Sequence, residues 1–405
     1  MIIPFYKPRR IDSGGFFSRA QKIFDTCWFT NAGENVLEFE KEIADIHHVK
    51  HCIAVCSGTI GLQLVLKGLN LTGEVITTPF TFVATAHAIL WQGLKPVFAD
   101  IDSRTLTISP EKLEEKITSK TSAVLGVHVF GQFCDVEKIE RIAKKRNMKV
   151  VFDAAHNFMA SYKGTPVGNF GDAEVLSFHA TKIFHTFEGG AILTNDSDLA
   201  SRLRLLKNFG FKGIDVVDYL GINAKMNEIS AAYGLSLLPF IPETSERLKQ
   251  IQAKYRILLG DTPGLTFFDL TPEVKGNGQY MVILIDEKTF GLSRDQLWTH
   301  LWNNGVQTRR YFYPGLHWCE PYRAEFSVLE NPFPETQRIS DAVLCLPCYY
   351  DLIDEDIEGI CEGIRQSRDQ QDHIRAWYEK LLLSSEVPSH LKQVVESLKR
   401  LTLKA

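Results

Sequence analysis

The feature that most restricts this chain is an alternation, running through roughly its first 240 residues, of short apolar runs with stretches whose apolar residues recur at helical spacing. The runs at 52–56, 74–77, 96–100, 123–129, 149–153, 173–178 and 191–194 predict strands. Between them, helices are expected over 35–47, from Thr59 onward, over 110–117 and 136–146, and from Met226 towards Leu238. Strands alternating with helices imply an α/β fold built on a mostly parallel sheet covered on both faces.

Pro239 and Pro242 interrupt the last of these helices and mark the expected end of a large domain at 1–240. A smaller α+β domain is expected over 241–365. It should hold a strand at 280–285, a helix opened by Ser293 with Gln296 completing a capping box, and a strand near 306–310. Over 366–405 the sequence is charged and helix-prone. There Val394, Val395, Leu398 and Leu401 oppose Lys392, Lys399 and Arg400, which predicts a solvated amphipathic extension.

Composition removes several classes of partner. Lys and Arg total 45 against 49 acids, a net charge of −4, so no electrostatic footprint for nucleic acid or an anionic membrane is present. No apolar run approaches the ~18 residues of a membrane span, and the segment after Met1 lacks the apolar core of a secretory signal. Eight cysteines without the dense spacing of a secreted scaffold fit reduced thiols in a cytoplasm.

Four segments could carry chemistry. Asp153 ends an apolar run, where an open parallel sheet presents its ligand crevice, although capping of a following helix would use the same residue. Lys182 follows the run ending in Ser177-Phe-His and precedes Gly189-Gly190, a pair that permits close backbone approach or positive φ. A lone loop lysine is ordinarily a solvated cation. Its weight rises if a carboxylate on another strand end of the same sheet can pair with a pyridinium, because pyridoxal phosphate needs both groups. Ser57-Gly58-Thr59 lies between strand and helix, where free N–H groups can hold a phosphate, but it lacks the P-loop spacing. Phe82, in Thr81-Phe-Val-Ala-Thr85, could stack on a flat ring or simply be core.

Two further clusters are discounted. His47-His48-Val-Lys-His51-Cys52 lacks a second ligand pair at finger spacing, so no metal site is expected. Cys345-Leu-Pro-Cys348 has redox spacing but follows a helical segment, and a buried structural pair is the expected reading.

Taken in chain order, Ser57-Gly-Thr59, Thr81 to Thr85, Asp153-Ala-Ala-His156, Ser177 to Lys182, Glu188-Gly-Gly190 and Gly221-Ile-Asn-Ala-Lys-Met-Asn-Glu228 resemble the DegT/StrS-type sugar aminotransferases, over about Ile3 to Arg365. The resemblance implies an aspartate-aminotransferase-like fold, pyridoxal 5′-phosphate as cofactor, and a homodimer with sites at the subunit interface. By matched position, Lys182 would be the Schiff-base lysine, Asp153 the partner of the ring nitrogen, and His156 a neighbour of the ring hydroxyl. Phe82 would stack on the ring. Ser57, Gly58, Thr59 and Ser177 would hold the phosphate, with Asn223 arriving from the other subunit.

Dehydratase relatives carry His at the Schiff-base position, so Lys182 favours transamination. The resemblance further implies L-glutamate as amino donor and a nucleotide-linked keto sugar as acceptor. It is nearest to enzymes making dTDP-4-amino-4,6-dideoxyglucose, with a 3-keto sugar as the alternative. Tyr313 and His317, in Arg309-Arg-Tyr-Phe-Tyr-Pro-Gly-Leu-His317, are candidate substrate contacts, with Pro-Gly where the family more often has Pro-Pro. Two other readings are a non-catalytic cofactor-binding protein and a lyase or desulfurase using Cys319 or Cys345.

Overall fold

The computed structural model describes residues 2–326 and 332–402. Seven strands form the main sheet: β1 (His51–Val55), β2 (Glu74–Thr77), β3 (Lys95–Phe98), β4 (Thr121–Val127), β5 (Lys149–Asp153), β6 (Ala173–Ser177) and β7 (Gly190–Thr194). Their order is β1-β7-β6-β5-β4-β2-β3. Pairing is parallel from β6 through β3, and β7 runs antiparallel to both of its neighbours. Six strands therefore end at one edge of the sheet, and β7 begins there.

Both faces of the sheet are buried, and successive residues alternate between two cores. Ile53, Val55, Leu125, Val151, Val175 and Ile192 pack with Leu62, Val65 and Leu66 of α1 (Gly58–Gly68). Their neighbours Cys52, Ala54, Leu176, Ala191 and Leu193 join Phe39, Phe158, Phe178 and Phe184. On the remaining strands, Val124, Val150 and Phe152 meet Leu113, Ile139 and Ala143.

The α-helix is interrupted at Pro239, as expected, but the backbone does not leave the helical region there. Helix α2 (Glu228–Leu237), capped by Asn227, passes through a 3₁₀ turn (Leu238–Phe240) into α3 (Ile241–Leu259), and the backbone stays helical at Leu238, Phe240 and Ile241. Each proline lies in the first turn of its helix, where its missing N–H has no intrahelical partner to lose. Beyond α3 a second, antiparallel sheet has the order β8 (Leu265–Phe267), β9 (Met281–Ile285), β10 (Val343–Leu346). The capping box of Ser293 and Gln296 forms, opening α4 (Arg294–Asn303).

No strand forms near 306–310; Val306 and Arg309 make only isolated bridges, to Ile3 and Cys345. Cys345 lies inside β10, so the Cys345/Cys348 pair does not open a helix, and both thiols are free and buried. The expected solvated extension is also corrected. It forms α5 (Gln371–Leu383) and α6 (Lys392–Thr402), whose Val394, Val395 and Leu398 are buried in the same core as Leu297 and Leu301 of α4. The side chains of Arg400 and Leu401 lie outside the described residues. Among the described residues, no helix is long and apolar enough to cross a membrane.

Candidate active site

The edge at which six strands end borders a cavity of about 480 Å³. Its wall is assembled in register. Val127 pairs with Asp153, Asp153 with Val175, and Ser177 with Gly190, which also pairs with Val55. The strand ends thus deliver Ser57 and Gly58, His128, Asp153 and Ser177 to one space. Gly190 makes this possible: a Cβ there would stand 2.6 Å from the Gly58 nitrogen and 2.8 Å from the Leu176 carbonyl oxygen. Close approach, not positive φ, is what this glycine supplies.

Asp153 is nearly buried, and each carboxylate oxygen has a partner. Oδ2 accepts from the Thr85 hydroxyl at 2.8 Å and Oδ1 from the Ala155 N–H at 3.1 Å. Thr81 Oγ1 lies 2.8 Å from Thr85 Oγ1. With the Thr85 proton committed to the carboxylate, Thr81 is the donor in that pair. Burial pushes the Asp153 pKa up, and these two hydrogen bonds and the Lys182 charge oppose the rise.

Lys182 lines the same cavity, in the loop after β6. Tyr6 donates to its carbonyl at 2.6 Å. Gln279 holds the residues on either side, donating to the Thr181 carbonyl at 3.2 Å and accepting the Ile183 N–H at 3.2 Å. The amine makes one long hydrogen bond, to the Tyr280 hydroxyl at 3.4 Å. Burial lowers its pKa to about 8, with Asp153 acting in the opposite direction.

His156 is buried against Tyr280, with ring centroids 4.4 Å apart, and accepts the Phe130 N–H on Nδ1 at 3.1 Å. Its proton therefore sits on Nε2. Burial, reinforced by the Lys182 charge, holds its pKa well below the usual imidazole range. Ser57 caps α1 by accepting the Ile60 N–H at 3.3 Å. The first N–H groups of that helix lack intrahelical acceptors, and the helix N-terminus at the cavity wall is suited to an anion. Phe82 is 58 % exposed and sits on the wall, not in the core.

The remaining candidates fall elsewhere. Asn223 is exposed and is not part of this chain's cavity wall. Tyr313 lines a second cavity alongside the first, with the Arg294 and Arg310 guanidiniums 4.3 and 4.6 Å from its ring centroid. His317 does not reach either cavity: it is fully buried against Trp318 and Phe333. Gly315 explains its position, because a Cβ there would lie 2.7 Å from His317 Cε1. The Pro-Gly sequence thus makes room for an inward-turned imidazole.

The distracting clusters resolve as packing. His47 Nδ1 meets the Val167 carbonyl at 3.0 Å and His51 Nε2 meets the Ser197 hydroxyl at 2.9 Å; among the described residues no cluster could hold a metal. Burial raises the Cys345 thiol to about 12, which removes it as a nucleophile. Cys319 borders the second cavity and is absent from the wall that holds Lys182.

Sequence reasoning missed the roles of Thr85, Tyr280, Gln279 and Tyr6. Only Thr85 had a local signal, four residues after Thr81 at the opening of a helix (Val83–Trp91). The others reach Lys182 or its flanks across 96 to 176 positions of sequence.

A crevice at the strand ends of a doubly covered sheet, holding a desolvated lysine and a buried aspartate, is the architecture of a pyridoxal-phosphate aminotransferase fold. The DegT/DnrJ/EryC1/StrS aminotransferase family matches residues 12–365, and the chain belongs to that family. It is 40 % identical over 356 residues to the dTDP-4-amino-4,6-dideoxy-D-glucose transaminase of Escherichia coli, covering 87 % of this chain and 95 % of that one. It is 31 % identical over 369 residues to the GDP-perosamine synthase of Escherichia coli O157:H7, covering 90 % and 98 %. Among solved structures, DesI, crystallised in the presence of its TDP-sugar product, matches with a TM-score of 0.89 at 40 % identity over 93 % of this chain and 96 % of that one. The chain is a sugar aminotransferase, and its cofactor is pyridoxal 5′-phosphate.

Proposed function

We propose that this aminotransferase moves an amino group from L-glutamate to C4 of dTDP-4-keto-6-deoxyglucose, giving dTDP-4-amino-4,6-dideoxyglucose. The observation that carries the catalytic part is the single cavity walled by Lys182, Asp153 and the N-terminus of α1. The choice of sugar is supported by the 40 % identity to the E. coli transaminase over nearly its whole length, against 31 % for the GDP-perosamine synthase.

The donor set fits the cofactor. Lys182 would be the amine to bond its aldehyde carbon, and Asp153 the acceptor for its ring N–H. His156 would neighbour the ring hydroxyl and Phe82 would stack on the ring. Ser57, Gly58, Thr59 and Ser177 would hold the phosphate. Bound there, pyridoxal phosphate supplies an electron sink for the pair left when a Cα–H bond breaks. Hydrogen bonds from Thr85 and the Ala155 N–H oppose the rise that burial imposes on the Asp153 pKa, favouring the carboxylate that would hold a proton on the ring nitrogen. Lys182 Nζ would be the group that carries the proton, and its lowered pKa reduces the cost of presenting a neutral amine. Tyr280, kept protonated by burial, holds the amine at the cavity wall.

In this reading two copies assemble, with Asn223 completing the neighbour's phosphate site and Tyr313 contacting substrate. A second copy is supported by the exposed apolar residues between Phe209 and Ile222, among them Ile214 at 93 % and Leu220 at 82 % exposure. The reading also keeps 1–240 and 241–365 as large and small domains and places the reaction in the cytoplasm.

The test is a half-reaction screen. Holoenzyme is converted with L-glutamate, freed of excess donor, and offered nucleotide-linked keto sugars while the cofactor spectrum is followed. The dTDP-linked 4-keto-6-deoxy sugar should restore the starting spectrum. Restoration by a 3-keto isomer alone would overturn the choice of ring position, and no response to glutamate would overturn the assignment of donor.

A further inference from the structure

The family's span ends at residue 365, yet the chain continues, and α6 packs back onto the body of the protein. Its apolar side is anchored by Val394, Val395 and Leu398. Gln393, Val394 and Ser397 of the same helix line a second cavity of about 420 Å³. That cavity shares Thr81, Phe82, Arg309, Tyr311 and Phe312 with the catalytic one, so the two adjoin across a common wall.

The charge of this second cavity is one-sided. Arg309 and Arg310 are the charged residues of its described wall, and no carboxylate is among them. Arg310 donates to Asp295 at 2.8 Å and to the Ser397 hydroxyl at 3.0 Å, and its guanidinium lies 3.7 Å from the Trp298 ring centroid. Asp295 also accepts from Arg294 at 2.7 Å, so one carboxylate serves two guanidiniums. Arg309 has no ion-pair partner among the described residues. A positive, aromatic-lined space beside the reaction cavity suits a ligand that joins a polyanion to a flat ring.

We propose that the C-terminal extension is a specificity element: α6 walls the subsite for the nucleoside-diphosphate half of the sugar substrate, Ser397 fixing Arg310 towards the diphosphate and Gln393 setting the width of the space. Ser397 is a positioning residue, acting through Arg310. The inference rests on the proposed function for its substrate class, but not on any step of the chemistry.

Because α6 belongs to the core, point variants are preferred to truncation. In the full-length holoenzyme, Gln393→Trp should raise KM for the dTDP-linked keto sugar about tenfold with little change in kcat or in the glutamate half-reaction. Ser397→Ala should raise it about threefold, and Ser397→Thr should restore it. Affinity for dTDP alone, read by calorimetry, should weaken by the same factors, and this readout does not depend on glutamate chemistry. Unaltered dTDP affinity in both Gln393→Trp and Ser397→Ala would overturn the proposal. A parent protein that binds dTDP but ignores glutamate would count against the proposed donor, leaving the variants' dTDP affinities to decide the role of α6.

Discussion

Asp153 and Glu174 sit on adjacent strands, one residue apart in register, and have opposite fates. Glu174 has no exposed surface; it accepts from His128 Nε2 at 3.0 Å and from the N–H groups of Gly168 and Phe170. His128 in turn accepts the Cys134 N–H on Nδ1 at 3.1 Å, so the network closes on itself. Asp153 has two partners and a cavity beside it, and among the described residues the nearby Lys182 amine has only the Tyr280 hydroxyl, at 3.4 Å. A buried acid with every site satisfied stabilises the sheet. One held on two sides and open on a third is placed to receive a ligand.

Substitutions can break this contrast, and the largest effect belongs to the open side. Lys182→Ala should reduce turnover by at least about 10³-fold in a coupled transamination assay while leaving the unfolding midpoint close to that of the parent. Glu174→Ala should do the reverse, costing about 3 kcal/mol in denaturant unfolding, because three buried donors lose their acceptor, with kcat of the folded fraction little changed. Thr85→Val tests the shared border: loss of one hydrogen bond to the carboxylate should raise the Asp153 pKa further and cut turnover about tenfold.

The smallest effect is a titration. In cofactor-free protein the Lys182 amine is protonated below its pKa of about 8 and reactive above it. Acylation of this residue should therefore rise with a midpoint near 8, far below that of an ordinary lysine. Asp153→Asn removes a negative charge that favours the ammonium form, so the midpoint should fall further. A midpoint that stays fixed would show that the two groups do not sense each other, and one that rises would contradict the sign of their coupling.

The open side of the comparison was easier to read from sequence than the closed one. Asp153, Ser177 and Ser57 each follow an apolar run, and in a sheet buried on both faces those runs mark strand ends without reference to anything distant. The Glu174 network depends on His128, 46 positions away, and nothing local announces it. The same reason explains the errors in the second half of the chain. The amphipathic pattern of α6 is visible in the sequence, but the α4 surface that buries its apolar side is not. For His317 the sequence pattern does not display the space beside Gly315 into which its ring turns. Short strands such as β8 and β10 carry too few residues to display a period, whereas 306–310 had an apolar start and no partner strand.

In the proposed reaction one amine among the chain's lysines meets the cofactor in the cavity that Asp153 lines. Borohydride reduction of the holoenzyme, followed by peptide mass spectrometry, reads this directly. A single reduced phosphopyridoxyl group on Lys182 is the predicted result, with much less incorporated in Asp153→Asn under the same loading conditions. A label on a different lysine, or equal labelling of many, would contradict it.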